Sequence, residues 1–399
     1  MYFLGLSAFF CLGVLAFFRT KLGLLAFFIL YSLWPTGNPY IDLNYKAGVF
    51  VTDLFWLGIF AKILYQNKGA DKKIWAPVIG VLLLYALYFL AAWINGHIID
   101  QYLLKDLRPL IGLMQVFALM MIVKDISFTK KEIMAVVLVG ATSFFIAFLA
   151  LLQGFVTTQD GFFQQESFRY LDGSAYVCGL YLLIVTHDYR QNRRLQAGFS
   201  LVSAFSALVL LIAGSRIIFA SFLLSLLALA KSRLTLVKTG VIVLIGAGLF
   251  YAVSQLAGAE RVQASLDPAG LALQLYTRFG PALEEIMRMD LQGFIFGQGL
   301  GATFFIPWLE YLGYESTSVS VDSAYLTLYN KFGLFSIAIL FASIYLPLRG
   351  FDQKLKQALV LYFMVIFFAS AIHYQSYGWF MFFFLIMVAH SPYCQTHES

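Results

Sequence analysis

The 399-residue chain is 61% hydrophobic and 12% charged, with a formal net charge of +6 and a mean hydropathy of +0.80. So little polar side chain cannot cover a soluble globular surface, and the composition places the chain among integral membrane proteins. The positive charge sits in short segments between apolar runs, which argues for membrane sidedness and against a nucleic-acid partner.

In chain order, the apolar stretch 2–18 meets Arg19 and Lys21 at its far end and lacks a basic leader, so it reads as a retained membrane helix rather than a cleaved signal. Apolar runs at 75–94, 133–152, 197–213 and 239–256 approach or reach the roughly 20 residues that cross a hydrocarbon core as helix. None shows the short alternating pattern of an outer-membrane barrel. Helices satisfy their own backbone groups in lipid, so the expected fold is an all-α integral membrane protein. It forms one polytopic domain over 1–399, a bundle of roughly 11–13 transmembrane helices.

Six short segments, 19–21, 62–73, 124–131, 190–194, 231–238 and 349–356, hold 18 of the 27 Lys and Arg residues. The positive-inside rule makes them cytoplasmic in a multi-pass inner-membrane protein. The intervening segments are richer in acid, and two are long: 154–173 and 257–322. Both are expected on the periplasmic side, where long connections tend to carry function.

Neither metal nor cofactor is expected. Cys11, Cys178 and Cys394 form no pair suited to a disulfide or metal site, and His97, His187, His373, His390 and His397 lack zinc-type spacing. The glycine-rich "GFIFGQGLGATF" at 293–304 has no P-loop lysine and reads as a tight turn. Ahead of it, Leu275, Tyr276, Phe279, Leu283, Ile286 and Met287 recur at helical spacing, as in an interfacial helix broken near Pro281.

Four arginines fall on the expected outer side: Arg169, Arg216, Arg278 and Arg288. A guanidinium fork matches phosphate oxygens, so they are candidates for an anion site. Arg216 lies in a minimal turn, "GSR", between two spans, where snorkelling to lipid headgroups is the plainer reading. Arg288 follows Glu284 by four residues, which suits a helical ion pair. At 321–336, "VDSAYLTLYNKFGLFS", Asp322 or Ser323 either caps the helix or, for Asp322, serves as a general base at a cavity rim. Lys331 falls more than two turns into the same span, where a cation faces the protein interior or a cavity.

The order "GSR", a long outer loop containing "GQGLG", then "DSAYLTLYNKFG" resembles the bacterial O-antigen ligase and polymerase superfamily. The likeness covers about 165–340 by motif and the remainder by hydropathy. In the ligase branch the last motif begins with histidine; here Asp322 stands in that place, Ser323 follows, and Gly333 falls at the matching distance. The resemblance implies a fold like the metal-independent membrane glycosyltransferases, with an active site open to the periplasm. It implies an oligosaccharide donor on undecaprenyl pyrophosphate, with Arg216 and Arg278 as catalytic groups. Arg169, Arg288, Ser323 and Lys331 are assigned to substrate binding. Asp322 in the base position favours a polymerase over a ligase, with a chain-length regulator as a further partner; a lipid-linked oligosaccharide flippase is the reading from another class.

Overall fold

The computed structural model describes residues 2–33, 50–66, 72–94, 100–153, 172–192, 197–213, 215–230, 233–256, 267–306 and 316–393. These are almost wholly helical. In chain order the helices are α1 (Tyr2–Phe18), α2 (Thr20–Leu33), α3 (Asp53–Tyr65), α4 (Lys72–Ile94), α5 (Gln101–Asp106), α6 (Arg108–Ile122), α7 (Lys130–Leu152), α8 (Gly173–Asn192) and α9 (Ala197–Ile212). They continue with α10 (Arg216–Ala228), α11 (Arg233–Leu256), α12 (Pro268–Met287), α13 (Leu291–Phe296), α14 (Ala324–Phe332), α15 (Ser336–Tyr345), α16 (Gln353–Ala369) and α17 (Ser376–Ala389). The sheet content described is one antiparallel pair, β1 (Phe304–Phe305) and β2 (Thr317–Ser318), with Phe304 opposite Ser318.

Among the described residues, three helical stretches are long and apolar enough to cross a membrane: Gln101–Asp125, Lys130–Ala150 and Ala324–Tyr345. This is fewer than the roughly 11–13 spans that hydropathy suggests. The difference lies partly in length. Several apolar helices have 10–17 residues, among them Thr20–Leu33, Arg216–Ala228 and Tyr377–Ala389. At about 1.5 Å per residue, 14 residues rise about 21 Å, short of a hydrocarbon core of about 30 Å.

The basic segments meet at one end of the bundle. Lys21 Nζ pairs with Glu132 at 3.0 Å, and Lys130 Nζ with Asp188 at 2.7 Å. His187 Nε2 lies 3.0 Å from Asp352, Arg190 donates to Thr239 Oγ1, and Lys62 donates to the Phe17 carbonyl. The Phe128 amide donates to the His390 carbonyl, which brings the chain's last described helix to the same end. Segments from all six basic stretches, or residues beside them, are thus tied together.

The opposite end follows from antiparallel pairing. On α8 and α9, Cys178 faces Ser206 and Tyr181 faces Ser203. On α8 and α16, Tyr176 meets Tyr362 while His187 meets Asp352. The start of α8, the end of α16 and the start of α17 therefore share the end remote from the basic segments. Between these ends the core is dominated by aromatic packing, as in Phe27 stacked on Phe55 at 4.1 Å and Tyr31 on Phe380 at 4.2 Å.

Candidate functional site at the non-basic end

Asp322 is placed by a local knot. Ser323 has extended dihedrals (φ −154°, ψ 122°), and its Oγ accepts from the Leu326 amide at 3.4 Å. Ser323 is therefore the N-cap of α14, and Asp322 stands one residue before the cap. The Thr327 hydroxyl closes the knot by bonding both the amide and the carbonyl of Val321. Of the two capping candidates in the sequence, Ser323 takes the role. The Ser323 side chain is also buried and donates to the Phe367 carbonyl at 3.5 Å.

Relieved of capping, the Asp322 carboxylate turns outward. Its Oδ2 lies 3.9 Å from Arg278 Nε, with side-chain exposures of 64% and 45%. A pair so long and so open is a weak one, with both side chains reached by solvent. Arg278 comes from α12, which is held against this end by Phe279 on Phe368 (5.1 Å) and by Ala282 packed with Phe304, Ile306 and Val321. The charge of Asp322 also reaches Tyr377 at the start of α17. The Tyr377 ring stacks on Tyr176 at 4.8 Å, and its hydroxyl lies 3.2 Å from Ser370 Oγ.

Arg216 arrives at the same end through the short turn after α9. Tyr362 touches both Tyr176 and Ser221, so the first turn of α10 lies level with the start of α8 and the last turns of α16. There Arg216 is the exposed first residue of α10. A cation is unfavourable at a helix N-terminus, where the free amides already present positive charge. Guanidinium and amides together offer donors of one sign to an anion. Arg169 lies outside the described residues. Asp172, three positions later, is buried just before α8 and accepts from the Ser174 amide at 2.8 Å.

Two nominated cations stand elsewhere. Arg288 caps the C-terminus of α12, ten residues and about 15 Å beyond Arg278. It lies 3.9 Å from Glu284 and 3.7 Å from Glu285 on its own helix, as the four-residue spacing suggests. Glu284 also accepts from Tyr276 Oη at 2.8 Å, and that hydrogen bond together with the carboxylate charge raises the Tyr276 phenol above its ordinary pKa.

Lys331 is fully buried. Its Nζ donates to Asp106 Oδ2 at 2.7 Å and to the Ala302 carbonyl at 2.6 Å. It is an internal tie just over two turns below Ser323. Asp106, which the sequence reading passed over, also accepts from the Gly301 amide at 2.7 Å and from Tyr374 Oη at 3.1 Å. A second internal knot joins Asp53 to Arg108 Nη1 at 2.7 and 2.9 Å and to Gln115 at 2.6 Å. The "GQGLG" turn is the other half of the Lys331 tie. Gly297, Gly299 and Gly301 have φ of +76°, +91° and +87°, and the Gln298 and Gly299 amides donate to the Asn330 and Lys331 carbonyls. Gly333 (φ +53°) lets α13 approach so closely that a Cβ there would collide with the Ile295 carbonyl.

Among the described residues no cluster of three or more His, Cys, Asp or Glu could hold a metal ion. Residues 121–393, well over half of the chain, match the model of a family of unknown function, DUF6369. The match takes in all seven nominated residues and begins after Asp53, Asp106 and Arg108. No curated protein and no solved structure matches the chain.

Proposed function

The chain belongs to the DUF6369 family, and because that family carries no assigned chemistry, we propose from the non-basic end that this protein polymerises a lipid-linked surface glycan. In this reading it is a multi-pass protein of the bacterial inner membrane, with the basic end in the cytoplasm and the Asp322 end facing the periplasm. The donor is a glycan on undecaprenyl pyrophosphate and the acceptor is a lipid-linked repeat unit. An acceptor hydroxyl attacks the anomeric carbon of the donor, the bond from that carbon to the pyrophosphate oxygen breaks, and undecaprenyl pyrophosphate leaves. Asp322 receives the hydroxyl proton. Arg216 and Arg278, with Arg169, offset the charge that grows on the leaving group, so no metal is required for that role. Holding both substrates on adjacent lipids supplies proximity.

The observation that carries the proposal is the open pair of Arg278 and Asp322, 3.9 Å apart and solvent-accessible, at the end where α10 also presents Arg216. An incoming pyrophosphate would draw Arg278 away and free the carboxylate to accept a proton. The test is the surface polysaccharide of a deletion strain, resolved on a gel. Loss of a polymerase gives lipid A core carrying one repeat unit. Bare core would instead assign a ligase, and repeat units held on the cytoplasmic side would assign a flippase.

A further inference from the structure

The large outer loop does not stay at the rim. α12 packs at the level of Val321 and Phe368, and β1 returns to that level beside Val321. Between them, α13 and the glycine turn follow α14 inward. Phe296 stacks on Phe335 at 5.9 Å, Phe294 packs edge-on against Tyr329 at 5.6 Å, and the Gln298 and Gly299 amides reach the Asn330 and Lys331 carbonyls. Those partners lie six to twelve residues past the Ser323 cap, or about 9–18 Å at the helical rise. A second ruler agrees. Tyr88 donates to the Phe296 and Phe332 carbonyls and lies five residues, about 7–8 Å, inside Trp93, an exposed aromatic at the end of α4 of the kind that marks a membrane interface.

Two features fit this depth to lipid. Leu291, Phe294 and Phe296 are exposed, and through the Phe296–Phe335 stack they continue the exposed apolar stripe of Leu334, Phe335, Ile337 and Phe341 on the span Ala324–Tyr345. The six residues of α13 carry no charge. Several backbone groups at the end of α13 and in the turn beyond it are also bonded by protein. The Phe294 and Phe296 carbonyls accept from Tyr329 and Tyr88, the Gly301 amide donates to Asp106, and the Ala302 carbonyl accepts from Lys331. Irregular backbone within a bilayer is tolerated only when protein groups replace water in this way. The buried ion pair and the glycine turn then share one purpose.

We propose that residues 291–303 form a re-entrant segment that dips into the bilayer from the non-basic side, with Leu291, Phe294 and Phe296 lying against lipid acyl chains. The proposal requires that Ala324–Tyr345 crosses a membrane and is independent of glycosyl transfer, so the two can fail separately.

The test is spin-label accessibility in liposomes of phosphatidylethanolamine and phosphatidylglycerol. Nitroxides are placed singly at Leu291→Cys and Phe294→Cys in the full chain, with Cys11, Cys178 and Cys394 replaced by serine. Phe341→Cys on α15 is the lipid reference and the exposed Lys354→Cys the water reference. Leu291 is 77% exposed, so its replacement removes little packing. The expected result is that both loop labels collide mainly with oxygen, as at Phe341, and are shielded from a water-soluble nickel chelate. If the Leu291 label collides with the chelate as readily as Lys354, the segment stands in water and the proposal is overturned.

Discussion

Lys331→Met is expected to destabilise the protein by about 3–5 kcal/mol, the usual effect of removing one partner from a buried ion pair. The carboxylate of Asp106 would remain at 0% exposure, bonded to Tyr374 and the Gly301 amide but without a cation. The Ala302 carbonyl would lose its donor as well. Thermal unfolding of the purified protein in detergent, followed by tryptophan fluorescence, measures the loss. The double variant Lys331→Met with Asp106→Asn should recover much of it, because neutralising both partners removes the stranded charge. A single variant as stable as wild type would mean that the ammonium contributes no net stability. A double variant no better than the single one would mean that the loss comes from packing of the lysine stem.

Asp322→Asn is expected to lower polymerisation by about two orders of magnitude or more, in the range for loss of a general base. The geometry makes this substitution selective. Ser323 caps α14, and Thr327 ties down Val321, so an amide at 322 leaves the helix start untouched. Unfolding temperature and membrane level should therefore match wild type while chain elongation falls. Arg216→Lys belongs to the same test, since a point charge lacks the planar fork suited to a pyrophosphate, and it should retain little activity. Full-length polymer from Asp322→Asn would reduce the carboxylate to a partner for Arg278.

How much of this was legible in the sequence depends on the range of the contact. Helical class and the grouping of basic segments follow from composition and spacing, which are local signals. The pairing of Arg288 with Glu284 was readable because four residues make one helical turn. The cap at 322–323 was half-readable. Both residues suit an N-cap, and only the extended backbone at Ser323 decides which one faces the Leu326 amide. Lys331 was correctly expected to face an interior, but its partner stands 225 residues away, and no periodicity reports such a contact. For the same reason the glycine motif was recognisable as a turn, while its seat on the end of α14 was not. Among the described residues three helices reach spanning length, and apolar runs alone do not reveal where a helix stops short of full membrane thickness.

The central claim is that this chain itself joins lipid-linked glycans, and turnover by the purified protein tests it most directly. Full-length protein in liposomes would be given undecaprenyl-pyrophosphate-linked repeat units from its own host, with no metal added. The products would be separated by size, and released undecaprenyl pyrophosphate measured. The account predicts a ladder of longer lipid-linked glycans, with one undecaprenyl pyrophosphate released per unit joined, and no ladder from Asp322→Asn at equal protein. Repeat units that remain unjoined with well-folded wild-type protein, or that only change leaflet, would contradict it.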